Sequence, residues 1–365
     1  MADIQTVAAG WKQALFEYVN TVNEASLRGD ETRLRAAADP AHGSRLAERM
    51  LRASRRDAER GIRVLRSEVR ARIERHTDLG REVTADVALH MIRTCEQKGV
   101  EWQEERIERE RIRFALIDGE WKVDGAEPLL AEGSVQMMWV PVDEPDGPFE
   151  RTESLPSVPL IYTHPLGAER NRPRVFAAGG ADGLGGVQLN DSFTRRGIPY
   201  RRDLAVAYAE RWWNEPNPQY EYFEVNCTNY VSQCLFAGRA PMNYTGRRES
   251  GWWYKGRVGG REWWSYSWAV ADSLRRYLAM PRSFGLRAQE VDAPEKLKLG
   301  DVICYDWDGT GRFGHNTIVT AFTADGEPLV NANTVASRHR FWDYQDSYAW
   351  TKNTRYRFFH IADEF

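Results

Sequence analysis

Hydrophobic residues change their spacing along this chain, and the changes divide it into sections. Trp11, Leu15, Tyr18, Val19 and Val22 recur three or four residues apart and so share one face of a helix. A second helix is predicted over 44–60. The period then falls to two: Val69, Ala71 and Ile73 alternate with charged residues, as do Val83, Ala85, Val87, Leu89 and Met91, and later Ile112, Phe114 and Leu116. Asp118-Gly119 supplies a hairpin turn before Trp121 and Val123. Helices followed by half-buried, meandering strands predict an α+β accessory domain over 1–130.

That order of elements resembles the cone-shaped fold of nuclear-transport-factor-like proteins, by pattern and not by motif. The arginine-rich run from Arg45 to Arg75 suggests a nucleic-acid patch at first sight. Glu48, Asp57, Glu59, Glu68 and Glu74 are interleaved through it, so a solvated, ion-paired face is expected instead. Between 131 and 198 the texture turns to proline and glycine, as in "VPVDEPDGPFERTESLPSVPLIYTHPLG" and "AAGGADGLGG". Prolines remove backbone donors, so this stretch reads as a connection. Its glycine run 179–186 follows no strand and precedes no Gly-Lys-Ser/Thr, which makes it a turn and not a phosphate loop.

Regular patterns return at 199–365. Leu204, Tyr208, Arg211 and Trp212 give a helix over 202–214, with Asp203 in its first turn and Pro216 and Pro218 beyond its end. A helix opens inside "NCTNYVSQCL" and another is predicted over 267–278. Strands follow over 301–305, 315–322, 328–334 and 356–361, with Asp308-Gly309 and Asp325-Gly326 as turns.

Composition narrows the function classes. The 365 residues are 42% hydrophobic and 12% aromatic, enough apolar surface for two globular domains. A net charge of -3 and a pI near 6.2 give no overall attraction to nucleic acid or anionic lipid. The start carries no secretory pattern and no run of about eighteen apolar residues occurs, so a cytoplasmic protein without a membrane span is expected. Four scattered cysteines, Cys95, Cys227, Cys234 and Cys304, are too few for a disulfide scaffold.

Cys227 admits four readings: buried filler, disulfide half, metal ligand or nucleophile. Cys227 and Cys234 would lie about 10 Å apart along a helix, beyond the roughly 7 Å reach of a bridge. Neither Cys-x-x-Cys nor His-Glu-x-x-His occurs, so no metal is expected. Asn226 is an N-cap candidate, which puts Cys227 in the first turn at the positive end of the helix dipole, where a thiolate is stabilised. Packing alone accounts for Cys234. Of seven histidines, His42, His76, His90 and His164 fall before 199. His315 opens a strand after the turn "DGTGRFG" and can reach a helix start. His339 reads as solvated in a polar loop and His360 as a satisfied core or edge histidine. The third polar group orienting the imidazole is assigned to Asn333, with Asn331 on the same face as the alternative.

"YRRDLAVAYAERWWN", "NCTNYVSQCLFAGRAPM", "WWY", "GDVICYD", "GHNTIVT" and the terminal "YRFFHI" together resemble the bacterial putative amidase domain, a branch of the papain-like, NlpC-type cysteine hydrolases. The resemblance covers about 200–361 and implies a helix packed on a small antiparallel sheet, a nucleophilic Cys227, His315 as base and Asn333 as third residue. Relatives in this branch more often show His at the place of Asn333. The Cys227 N–H is the expected oxyanion donor, with Tyr220 or Tyr222 as a second. Asn226, Asn229, Ser232 and Gln233 belong to the same motif, as supporting hydrogen bonders; read without it, 229, 232 and 233 form the wet side of the helix. Trp252, Trp253, Tyr254, Trp263, Trp264 and Trp268 either complete a core or line a groove, with the core preferred. The expected activity is cysteine-dependent hydrolysis of an amide or peptide bond without a cofactor, in a peptide or small amide; the resemblance implies peptidoglycan-type peptides. A transferase using the same thioester and an inactive binding module are the alternatives.

Overall fold

The stripe that begins at Trp11 folds as α1 (Trp11–Arg28), with Trp11, Leu15, Tyr18, Val19 and Val22 all buried. It stops at Gly29, whose φ of 65° is the left-handed conformation that side chains resist. The computed structural model of this protein describes residues 10–130, 132–133 and 197–365. Apart from 132–133 and 197–198, the connection assigned to 131–198 lies outside the described residues, with its glycine run and His164.

A short α2 (Glu31–Arg35) leads into α3 (Pro40–Glu59), which starts earlier than the 44 expected. The signal was present: the Asp39 carboxylate accepts from the N–H groups of Ala41 and His42, and Pro40 takes the first helical position. Strands β1 (Arg63–Asp78), β2 (Glu82–Gln97), β3 (Val100–Ile117) and β4 (Glu120–Pro128) form an antiparallel meander. The helices cover the face carrying Val83, Ala85, Val87, Leu89, Ile112 and Phe114. Asp118 and Gly119 both take positive φ in the hairpin between β3 and β4. Exposed pairs such as Arg66–Glu68 and Arg72–Glu74 fit the expected ion-paired face. Arg49 and Arg56 do not: they are 1% and 2% exposed, paired with Glu108 and with Asp57 and Asp343.

After residue 197 come α4 (Arg202–Trp212), α5 (Cys227–Ala237), a hairpin of β5 (Tyr254–Val258) and β6 (Arg261–Trp264), α6 (Tyr266–Ala269) and α7 (Ala271–Ala279). Extended backbone at Val270 splits the helix predicted over 267–278 into these last two. Then follow β7 (Ala288–Val291), β8 (Val302–Asp306), β9 (His315–Phe322), β10 (Pro328–Ala332), β11 (Ala336–Phe341) and β12 (Arg355–Ile361). The strand expected over 328–334 ends at Ala332, so Asn333 and Thr334 stand in the turn to β11.

One antiparallel sheet runs through both sections in the order β1-β2-β3-β11-β10-β9-β8-β12-β7, with β4 also on β3. The length of β3 makes this possible: residues 110–117 pair with β4, which leaves 105–107 of the same edge for β11. Around β8 and β9 both faces are covered. Val302, Cys304, Ile318 and Phe359 pack with α4, α5 and α7, while Ile303, Tyr305, Trp307 and Val319 fill the opposite side. Two-sided burial explains why β8 reads as a continuous apolar run.

Candidate active site

Cys227 is the first residue of α5 and is 1% exposed. Asn226 precedes the helix, but its side chain caps no backbone N–H. Its Oδ1 accepts from Asn229 Nδ2 at 2.8 Å and its Nδ2 donates to Asn333 Oδ1 at 2.7 Å. The cap comes from outside the helix: Thr334 Oγ1 accepts the Cys227 N–H at 3.0 Å. The expected oxyanion donor is therefore engaged in this state. Tyr222 is 60% exposed and Tyr220 stacks on Trp268 within the aromatic core, so neither fits the expected second donor.

Burial raises the Cys227 thiol, but the charge and hydrogen bonding of His315, a hydrogen bond from Thr334 and the Asn316 N–H together bring it down to about 7. At the other buried thiols the lowering influences are outweighed by burial. Burial pushes Cys95 up to about 12 and raises Cys234 and Cys304 well above the ordinary thiol range. All four cysteines are free.

His315 opens β9 and is fully buried. Its ring sits among Tyr305, Trp307 and Tyr344, with centroids 5.5, 5.8 and 5.4 Å away. Neither ring nitrogen has a well-aligned hydrogen-bond partner among the described residues. The imidazole thus acts on the sulfur mainly through charge.

Asn333 does not orient the imidazole. Its Oδ1 faces Asn226, and its Nδ2 donates to the carbonyls of Trp212 and Trp213 at 3.0 and 2.9 Å. Asn331 is also engaged elsewhere, with Thr320, Glu210 and the His339 N–H. The physical reason is the early end of β10, which turns Asn333 toward the end of α4. His339 lies on β11, not in a loop, and meets Glu210 at 2.9 Å; His360 meets Asp301 at 2.8 Å as a satisfied histidine.

The polar positions of α5 are not its wet side. Asn229 Oδ1 accepts from Trp268 Nε1, Ser232 Oγ accepts from Trp252 Nε1, and Gln233 Oε1 accepts from the Tyr208 hydroxyl, all in the interior. Trp252, Trp253, Tyr254, Trp264 and Trp268 are buried, so the aromatic cluster is chiefly core. Sequence reasoning passed over Thr228, Asn316 and Thr334 at the sulfur, and Tyr305, Trp307 and Tyr344 around the histidine. The period-two spacing of 305 and 307 was a usable signal for the latter group. Among the described residues no three His, Cys, Asp or Glu side chains gather as a metal site, and no helix is long and apolar enough to cross a membrane.

Residues 199–359 match the family described as "putative amidase domain". The C-terminal half carries an amidase-like domain. It is similar to "Uncharacterized protein YhbB" of Bacillus subtilis strain 168, 52% identical over 169 residues, which are 46% of this chain and 52% of that protein. "Uncharacterized protein YjcM" of the same strain is 33% identical over 133 residues, 33% of this chain and 28% of the relative. The chain therefore spans about half the length of the first relative and less of the second. Among solved structures, the intermembrane space region of chloroplast protein ARC6 aligns at a TM-score of 0.24 and 9% identity, over 32% of this chain and 94% of that one. An NTF2-like protein with a cystatin-like fold from Novosphingobium aromaticivorans aligns at 0.25 and 15%, over 35% and 90%. Structural likenesses this slight carry no argument about the fold.

Proposed function

We propose that the amidase-like domain is a papain-like cysteine hydrolase that opens an amide or peptide bond, with Cys227 as nucleophile and His315 as general base. One juxtaposition carries this reading: a buried thiol at the start of α5 faces the His315 imidazole, whose charge lowers the thiol against the burial that raises it. A buried thiol without a nearby cation moves the other way, as Cys234 does.

His315 takes the proton of Cys227, and the thiolate forms a bond to the carbonyl carbon. The carbon–nitrogen bond then breaks as His315 returns that proton to the leaving amine. Water cleaves the thioester, releasing the acid and restoring the thiol. The substrate class is a peptide or small amide, of the peptidoglycan-peptide type that the sequence resemblance implies. Cys227 and His315 are 1% and 0% exposed, so substrate entry requires displacement of residues that cover them.

The same burial favours a second reading, an inactive module that binds without chemistry. Wild type and Cys227→Ala, assayed on amides that include peptidoglycan-derived peptides, separate the two. Hydrolysis requires equal release of amine and acid, lost by on the order of 10³-fold or more in the variant. Turnover that depends on an added amine acceptor indicates a transferase. No turnover of any amide and no thioester adduct in the intact mass supports the binding module.

A further inference from the structure

Two threonine hydroxyls border the Cys227 sulfur, and each already accepts a hydrogen bond. Thr334 Oγ1 accepts the Cys227 N–H at 3.0 Å, and Thr228 Oγ1 accepts Asn316 Nδ2 at 3.0 Å. A hydroxyl carries one hydrogen beside its lone pairs, so one that is accepting turns that hydrogen toward another neighbour. For Thr228 the neighbour in reach is the sulfur, 3.7 Å away. For Thr334, the Cys227 N–H that it accepts places its hydroxyl beside the sulfur of the same residue. Thr228 and Thr334 are 1% and 4% exposed, so bulk solvent is largely excluded from both hydroxyls. Asn316, fully buried, is held by a second donation to Ala271 O at 3.4 Å.

We propose that Thr334, and Thr228 fixed by Asn316, are positioning residues that hold the Cys227 sulfur as a thiolate, so that the ion pair is set from the sulfur side. This rests on the reading of Cys227 as nucleophile. It also explains how His315 can serve without an orienting acceptor: a sulfur held by two hydroxyls and one amide N–H keeps its charge in place, and the imidazolium follows that charge. The titratable groups facing the sulfur are His315 from β9 and, at longer range, Cys304 from β8.

The test is the pH profile of iodoacetamide alkylation at Cys227 in the full chain, followed on its own peptide by mass spectrometry. Thr334→Val keeps the shape and removes the hydroxyl. It is expected to raise the midpoint by about one pH unit, roughly tenfold less thiolate at neutral pH. Thr334→Ser should return it to the wild-type value. Thr228→Val, which leaves the helix cap intact, should raise it in the same direction and serves if Thr334→Val does not fold. Valine variants that keep the wild-type midpoint overturn the inference alone. A wild-type midpoint near the ordinary thiol value of about 8.5 overturns the nucleophile reading as well.

Discussion

Asn226 and Asn333 face each other across the start of the helix that carries Cys227, with the amide of the first donating to the carbonyl oxygen of the second at 2.7 Å. Asn333 in turn holds the last carbonyls of α4, so one side chain joins two helices and the turn before β11. Its role is architectural. Asn333→Ala removes three hydrogen bonds from a largely buried site and is expected to cost about 1–3 kcal/mol, read as a lower denaturant midpoint at unchanged slope. Asn333→His, the residue an imidazole-orienting role would accept, should not recover that loss.

The four thiols differ enough to be distinguished in one experiment. Cys227 sits at about 7, Cys95 at about 12, and Cys234 and Cys304 are raised well above ordinary thiols. In the folded protein at pH 7 to 8, limiting iodoacetamide should mark Cys227 well ahead of the other three. All four are buried to a similar degree, so the thiolate fraction in the folded state, not access, separates them. Quantifying the four alkylated peptides checks this. Equal labelling would mean that global unfolding, not the site, controls the reaction.

Asp346 joins the two sections. It accepts from Arg340 at 3.1 Å and from Arg106 on β3, and all three are 1–4% exposed. Arg340 also bonds Glu132 and lies 3.9 Å over the Tyr344 ring beside His315. Asp346→Ala leaves two buried guanidinium groups short of a partner, at an expected cost of about 3–5 kcal/mol in denaturant unfolding. Because Arg106 lies in the short stretch where β3 pairs with β11, exchange protection should fall there first.

Apolar alternation made β2 legible, and the turn residues on either side marked β9, whose residues 315–320 are buried on both faces. β11 was not: "ASRHRF" looks polar, yet Arg338 is matched by Glu105 and Glu210 and His339 by Glu210, partners far away in sequence. The polar face of α5 misled for a related reason. A buried indole N–H or phenol needs an acceptor, and Asn229, Ser232 and Gln233 provide it inside the core. For the site, the helix start and the strand mouth pointed to Cys227 and His315. The third residue depended on where β10 ends, which a shift of one or two positions decides.

Glu110 and His42 lie in one buried cluster with Tyr18, yet they respond to pH in opposite directions. Burial and the neighbouring Glu108 push Glu110 up to about 7, against Arg49 and hydrogen bonds from Tyr18 and Tyr348. Burial, Arg49 and Arg45 push His42 down to about 4, against Asp39 and Glu108. Glu110 is thus favoured in its protonated form: its stabilisation is present below its unfolded value of about 4.3 and lost as pH rises through about 7. His42 is favoured neutral: its stabilisation is present above its unfolded value of about 6.5 and lost as pH falls through about 4. Between pH 4.5 and 6.5 the two slopes offset each other, each amounting to a few kcal/mol across its window. Glu110→Gln should therefore expose a stability that rises with pH in this interval, and His42→Gln one that falls. Urea unfolding at half-unit pH steps measures both, and parallel profiles for the two variants would show that neither group titrates between the folded and unfolded states as argued.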